Sequence, residues 1–199
     1  MRPIKEKRER ALGTKLFLKG DRCNSPKCVM VRRPYRPGQH GQRRTNVTEY
    51  GKQLQEKQKV QIYFGLNTRQ MQNLFANPSP EKIRQMLEHR LDQVLLALGF
   101  AKSSRIARQM VSHGHIHVNG RKVTIASFSV HVGDVVSIRP ESKSSKLFEE
   151  LGERLKKHEP PMWLKLDAEK LSGRCTALST AHPGTFPFDI TIVGQFFAR

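Results

Sequence analysis

The stretch from Arg90 to Val123 restricts the fold most, because three periodicities follow one another with punctuation between them. Leu91, Val94, Leu95 and Leu98 recur at i, i+3, i+4 and i+7 and so share one helical face. Gly99 stops that helix. Ser103 or Ser104 can cap a second helix, whose apolar stripe is Ile106, Ala107, Met110 and Val111 and whose stop is Gly114. Beyond Gly114 the period drops to two, with Ile116 and Val118 alternating with His115 and His117. Asn119-Gly120 is the pair a two-residue hairpin turn prefers, since both positions need positive φ. Val130, Val132, Val135, Val136 and Ile138 around Gly133-Asp134 predict a further strand pair. Residues 89–139 thus read as two helices packed on a small antiparallel sheet.

The flanks read as helix with a basic preface. Thr48 can cap a helix reaching about Tyr63, and Asn67 or Thr68 can begin another. Ser79 followed by Pro80 is a strong start signal for a helix that runs on into the Leu91–Leu98 face. Ser145 to His158 has the pattern of an exposed amphipathic helix, while "PPMWLKLD" and "FPFDITIVGQFFAR" read as short strands that need another surface. The expected fold class is α+β, a mostly helical body with a basic extended arm plus the inserted two-helix-and-sheet module. The expected domains are an arm over 1–45, a helical body over 46–88 with 159–199 packing back on it, and the module with its following helix over 89–158.

Charge narrows the partner. Lys plus Arg number 36 against 17 acids, a formal net charge of +19. Self-repulsion of that size is offset by a polyanion, and nucleic acid is the leading candidate. Residues 1–44 alone hold fourteen Lys/Arg and three acids. Pro34, Pro37, Gly38 and Gly41 oppose helix within "RRPYRPGQHGQRR", so the arm is expected to be disordered or folded against a partner. No apolar run is long enough to span a membrane, and the N-terminus lacks the order of a signal peptide. Three sparse cysteines fit a reducing compartment, so a cytoplasmic location and no membrane partner are expected.

Several basic residues interleave with Pro, Gly, Tyr35 and His40 instead of pairing with acids. Lys27, Arg32, Arg33, Arg36, Arg43 and Arg44 are therefore the leading phosphate contacts, since arginine suits bidentate phosphate recognition and base stacking. Arg22 and His40 in the same arm, and Lys52, Lys57 and Lys59 on the helix after it, extend the set. In the module, Arg105 and Arg108 share a helical face, and Gln109, His113, His115, Arg121 and Lys122 join them as the second candidate RNA surface.

The module closely resembles the small RNA-binding domain named after ribosomal protein S-four. The residues that carry this are Arg90-Leu91-Asp92, Leu98-Gly99-Phe100-Ala101, Ser103, Arg105, Ala107-Arg108, Val111, Gly114-His115-Ile116, Val118-Asn119-Gly120, Val123, Ser127, Val130 and Gly133-Asp134. RNA-modifying enzymes and a tRNA synthetase carry similar domains. The flanks "LKGDRCNSPKC", "RRPYRPGQHGQRR", "YGKQLQEKQKV", "YFGL", "PMWLKLD" and "GQFFAR" resemble the bacterial-type S-four family of small-subunit ribosomal proteins. The resemblance implies a structural constituent that binds the 5′ domain of small-subunit ribosomal RNA and nucleates assembly. It also implies a place beside ribosomal protein S-five, near the messenger-RNA entry site, and a contribution to translational accuracy. Arg43 and Arg44 match the family's basic stretch near incoming messenger RNA, while Asn46 stands where another basic residue is often found.

Chemistry other than binding is poorly supported. Some members of that family hold zinc with four cysteines, but only Cys23 and Cys28 are present, and Glu6 and Glu9 replace the upstream pair. With His40 that leaves three ligands where a structural site needs four, so no cofactor is expected. His113, His115 and His117 could suggest a metal cluster, but they lack a neighbouring carboxylate to orient them. "HRLD", His89 to Asp92, resembles the catalytic-aspartate motif of pseudouridine synthases. The small polar and glycine continuation is missing, there is no room for a catalytic domain, and Asp92 fits a helix first-turn charge. The alternatives are thus such an enzyme or a stand-alone RNA-binding factor, and a non-enzymatic role is expected.

Overall fold

The computed structural model describes residues 5–43, 46–76, 79–143, 145, 148–149, 151–179 and 186–198. In chain order the helices before the sheet are α1 (Lys5–Leu12), α2 (Asp21–Asn24), α3 (Val29–Arg32), α4 (Glu49–Phe64), α5 (Thr68–Phe75), α6 (Pro80–Glu88), α7 (Leu91–Ala97) and α8 (Ser104–Ser112). Then come β1 (Ile116–Val118), β2 (Arg121–Lys122), β3 (Val135–Ile138), α9 (Leu151–Lys156), β4 (Leu164–Asp167), β5 (Ser172–Cys175) and α10 (Ile190–Phe197). They fall into two compact units, 1–84 with 181–199, and 85–180. The class is α+β.

In the first unit, α4 and α5 start where the sequence signals them. The Thr48 side chain accepts from the Gly51 N–H, and Asn67 and Gln70 form a reciprocal capping box. Ser79 caps α6 the same way, accepting from Lys82 N–H. The arm departs from expectation, because its described part is folded on this chain itself. Leu16 and Leu18 are fully buried and cluster with Leu12 against Ile62 and Tyr63 of α4. Those three leucines supply the apolar surface that a count of charges obscures.

The C-terminal stretch is the second departure. "ITIVGQFF" is helix α10, not a strand. Asp189 caps it, its side chain accepting from Thr191 N–H at 2.8 Å, while its own N–H donates to Glu56 Oε2 on α4 at 3.0 Å. Ile190 and Val193 are buried, Phe196 meets Tyr50, and Phe197 stacks on Phe75 at 5.3 Å. β-Branched residues cost a helix only tenths of a kcal/mol each, roughly, so an apolar face buried on α4 outweighs their preference.

The second unit is α7 and α8 on a five-stranded antiparallel sheet of order β2-β1-β3-β5-β4. Leu91, Val94, Leu95 and Leu98 of α7 meet Ala107, Met110 and Val111 of α8 and Ile116, Val118, Val136 and Ile138 of the strands. The hairpin is as the sequence indicates, with φ of 50° at Asn119 and 77° at Gly120, and His117 paired with Lys122. Asn119 does more than turn. Its amide donates to Asp134 Oδ1 at 2.7 Å and accepts from Val135 N–H at 2.9 Å, tying the hairpin to β3.

Four details differ from the sequence-based reading. The helix from Pro80 does not run on to Leu98; it breaks at His89–Arg90, where Arg90 is extended and bridges Ser129. Val130 N–H donates to His89 O and Leu91 N–H to Phe128 O, both at 2.8 Å, so these backbone groups serve the sheet side instead of a helix. Val130 and Val132 lie outside the named strands; β3 instead pairs with β1 and β5. Residues 159–180 accordingly belong to the second unit, because β4 and β5 extend its sheet and bring Trp163, Leu164 and Cys175 into its core. The helix expected over 145–158 is confined to α9 among the described residues. There Arg154 donates to the Gly99 and Phe100 carbonyls and His158 Nε2 bonds Ala97 O, closing the end of α7.

Candidate nucleic-acid interface

The basic arm is held from within by two acids and one arginine that the sequence reading did not single out for this. Glu9, 2% exposed, accepts from Leu16 N–H at 3.0 Å and Leu18 N–H at 3.3 Å. Glu6 pairs with Lys19 and Arg22, each at 3.2 Å. Arg10 donates to the carbonyls of Tyr35 (3.0 Å) and Arg36 (3.4 Å) and lies 4.9 Å over the Tyr35 ring. Together these groups tie the Pro/Gly-rich loop to α1. The only signal for them in sequence is carboxylates standing inside a run of positive charge. Glu9→Ala removes the oxygen that accepts from both buried N–H groups, and should cost about 1–3 kcal/mol of stability. Equilibrium denaturation of the two proteins checks it; coincident curves would rule out this role.

On that scaffold Lys27, Arg32, Arg33, His40 and Arg43 are exposed, and the structure gives none of these five an ion pair with a described residue. Arg22 is exposed but engaged with Glu6, and Arg36 is half-buried. Arg44 lies outside the described residues. On α4, Lys52 is exposed beside Glu49 at 3.7 Å. Lys57 is half-buried, its ammonium 4.5 Å over the Phe196 ring. Lys59 pairs with Glu56 at 2.5 Å with its side chain only 12% exposed. Lys57 and Lys59 thus help to hold α10 and its neighbours.

In the second unit Arg105 and Arg108 are half-buried on α8 and engaged in interactions there. Gln109, His113, Arg121 and Lys122 are exposed. A Cβ on Gly114, whose φ is 77°, would run into the Lys122 side chain at 2.2 Å, so glycine here lets that lysine cross the turn beside both histidines. His115 is half-buried, Nδ1 3.0 Å from Ser142 Oγ, its ring 5.8 Å from Phe148 and 6.0 Å from His113. Burial first, then the charges of His113 and Arg139, push its pKa below 6.5. The unfolded chain then binds the extra proton, so this group's contribution to stability is present above about pH 6.5 and is lost as pH falls below it. The denaturation midpoint of wild type should therefore drop between about pH 7.5 and 5.5 by more than that of His115→Asn; equal drops would contradict it.

The remaining chemistry-bearing groups are committed elsewhere. Asp92, 2% exposed, sits in the first turn of α7 and takes Arg90 bidentately, at 3.1 Å from Nε and 2.9 Å from Nη2. His89 Nε2 accepts from Ser179 N–H, which assigns the proton to Nδ1, bonded to Val130 O. Burial pushes up the thiols of Cys23 and Cys175, and Cys28 is buried as well. Among the described residues no three His, Cys, Asp or Glu side chains are placed to share a metal ion, and no helix is long and apolar enough to cross a membrane.

Known proteins resemble this chain in sequence. Residues 3–97 match the family described as ribosomal protein S4/S9 N-terminal domain, and residues 89–136 match the S4 domain. The small ribosomal subunit protein uS4 of Halothermothrix orenii is 44% identical over 193 residues, covering 94% of this chain and 93% of its own. That of Thermus thermophilus is 42% identical over 194 residues, with the same two shares. The protein of that name from Heliobacterium modesticaldum is 46% identical over 172 residues, 83% of each chain. Nearly end-to-end identity of this size, with both family domains in place, makes the chain a member of the small ribosomal subunit protein uS4 family.

Proposed function

We propose that this chain is a structural constituent of the small ribosomal subunit, that it binds the 5′ domain of small-subunit ribosomal RNA, and that it does so early enough to nucleate assembly. The observation that carries the reading is the set of exposed cations, Lys27, Arg32, Arg33 and Arg43, fixed on an internally bonded loop that offers them to a phosphate backbone. Arg121, Lys122, His113 and Gln109 form a second surface on the 85–180 unit. The mechanism is binding in the cytoplasm, without catalysis and without zinc. Ribosomal protein S-five is its protein neighbour and messenger RNA passes close to Arg43, which links the protein to translational accuracy.

The test is co-sedimentation with small subunits washed in high salt. A constituent stays with the particle at one copy each. Release into the wash, as a stand-alone RNA-binding factor would show, rejects the reading.

A further inference from the structure

One stripe of α8 carries a feature apart from the exposed cations. Ile106, Gln109, Met110 and His113 stand at i, i+3, i+4 and i+7, one stripe of the helix, and with His115 they line a recess of about 130 Å³. That is well below the roughly 300 Å³ at which pockets for whole small molecules begin, and suits a single ring system. Its walls are the apolar Ile106 and the polarizable Met110 thioether, which can lie against the face of a flat heterocycle. Its polar groups are one amide and two imidazoles, which between them offer donors and acceptors. Among the described residues no carboxylate, lysine or arginine lines it, so it suits a neutral ligand better than a phosphate.

We infer that this recess takes one unstacked RNA base, a reading that rests on the RNA-binding function proposed above. Single-stranded RNA is recognised by splaying bases out, stacking them on side chains and bonding their edges. The Lys122 side chain runs alongside Gly114, the residue between His113 and His115 in sequence, and supplies a cation close to this part of the chain for the nucleotide's own phosphate. Ser142 holds the His115 ring by Nδ1, leaving Nε2 for the base edge. The environment of His115 favours its neutral form, which suits a base edge better than a phosphate.

Chemical footprinting of the full chain on the ribosomal RNA 5′ domain tests this, with dimethyl sulfate and a carbodiimide to read the pairing edges of all four bases. Gln109 is exposed, so Gln109→Trp can fill the recess without disturbing the core, while Ser112→Ala, exposed on the same helix but outside the recess, leaves it open. With wild type, one unpaired nucleotide near the module is expected to be protected. Gln109→Trp should make that nucleotide reactive and weaken binding by about tenfold, the scale of one stacked base, while the rest of the footprint stays. Ser112→Ala should keep it protected. An unchanged footprint and affinity with Gln109→Trp would overturn the inference, as would normal RNA binding by a variant that no longer enters particles, which would make the occupant a protein side chain. Failure of the wild-type chain to bind the RNA would overturn the underlying reading instead.

Discussion

Asp92→Ala will destabilise the 85–180 unit by about 3–5 kcal/mol, the cost of removing one partner from a buried ion pair. The reason is what remains. Arg90 has a side chain only 9% exposed, and its guanidinium is held by the two Asp92 oxygens. Without them a buried positive charge loses its acceptors beside the break between α6 and α7. Asp92→Asn keeps the shape and one acceptor and should cost less. The chain has one tryptophan, and Trp163 is buried in this unit with its ring 5.1 Å from His89, so its fluorescence reports the unfolding directly. A denaturation midpoint for Asp92→Ala within error of wild type would refute the assignment. The same geometry argues against an enzymatic aspartate, because the carboxylate is 2% exposed and both its oxygens already accept from Arg90.

The second unit was legible because its signals are local. Helix stripes, glycine stops and the Asn119-Gly120 turn each act within a few residues, and α7, α8, β1 and β2 follow from them. The break at His89–Arg90 was hidden because its cause lies far along the chain, in the hydrogen bonds to Phe128 and Val130. The same holds for α10, whose β-branched run reads as strand until α4 offers a surface for Ile190 and Val193. For the interface, sequence identified the exposed cations of the arm but could not separate them from Lys57 and Lys59. Only the aromatic ends of α10 and the placing of Glu56 make that distinction. The holding roles of Glu9 and Arg10 were hidden for the converse reason, since a buried role for a charged residue depends on partners gathered by folding.

Those placements give the largest effect expected for this protein, the loss of RNA affinity with salt. Each neutralised phosphate releases counterions, so log affinity falls linearly with log salt, with a slope of about −0.7 to −0.9 per contact. Lys27, Arg32, Arg33, Arg43, Arg121 and Lys122 are the exposed cations best placed to act. Six such contacts predict a drop on the order of a thousandfold between 50 and 200 mM salt, measured on the ribosomal RNA 5′ domain. Changing Arg32, Arg33 and Arg43 together to alanine should make the slope shallower by roughly 2–3, with folding intact because these side chains are exposed. Lys59→Ala is the opposite case. It leaves Glu56 without its ion-pair partner and should lower the stability of the first unit while leaving the slope almost unchanged. A slope change for Lys59→Ala of about one third of that for the arm variant, the same per charge removed, would mean that the chain's total charge, and not the exposed loop cations, drives binding.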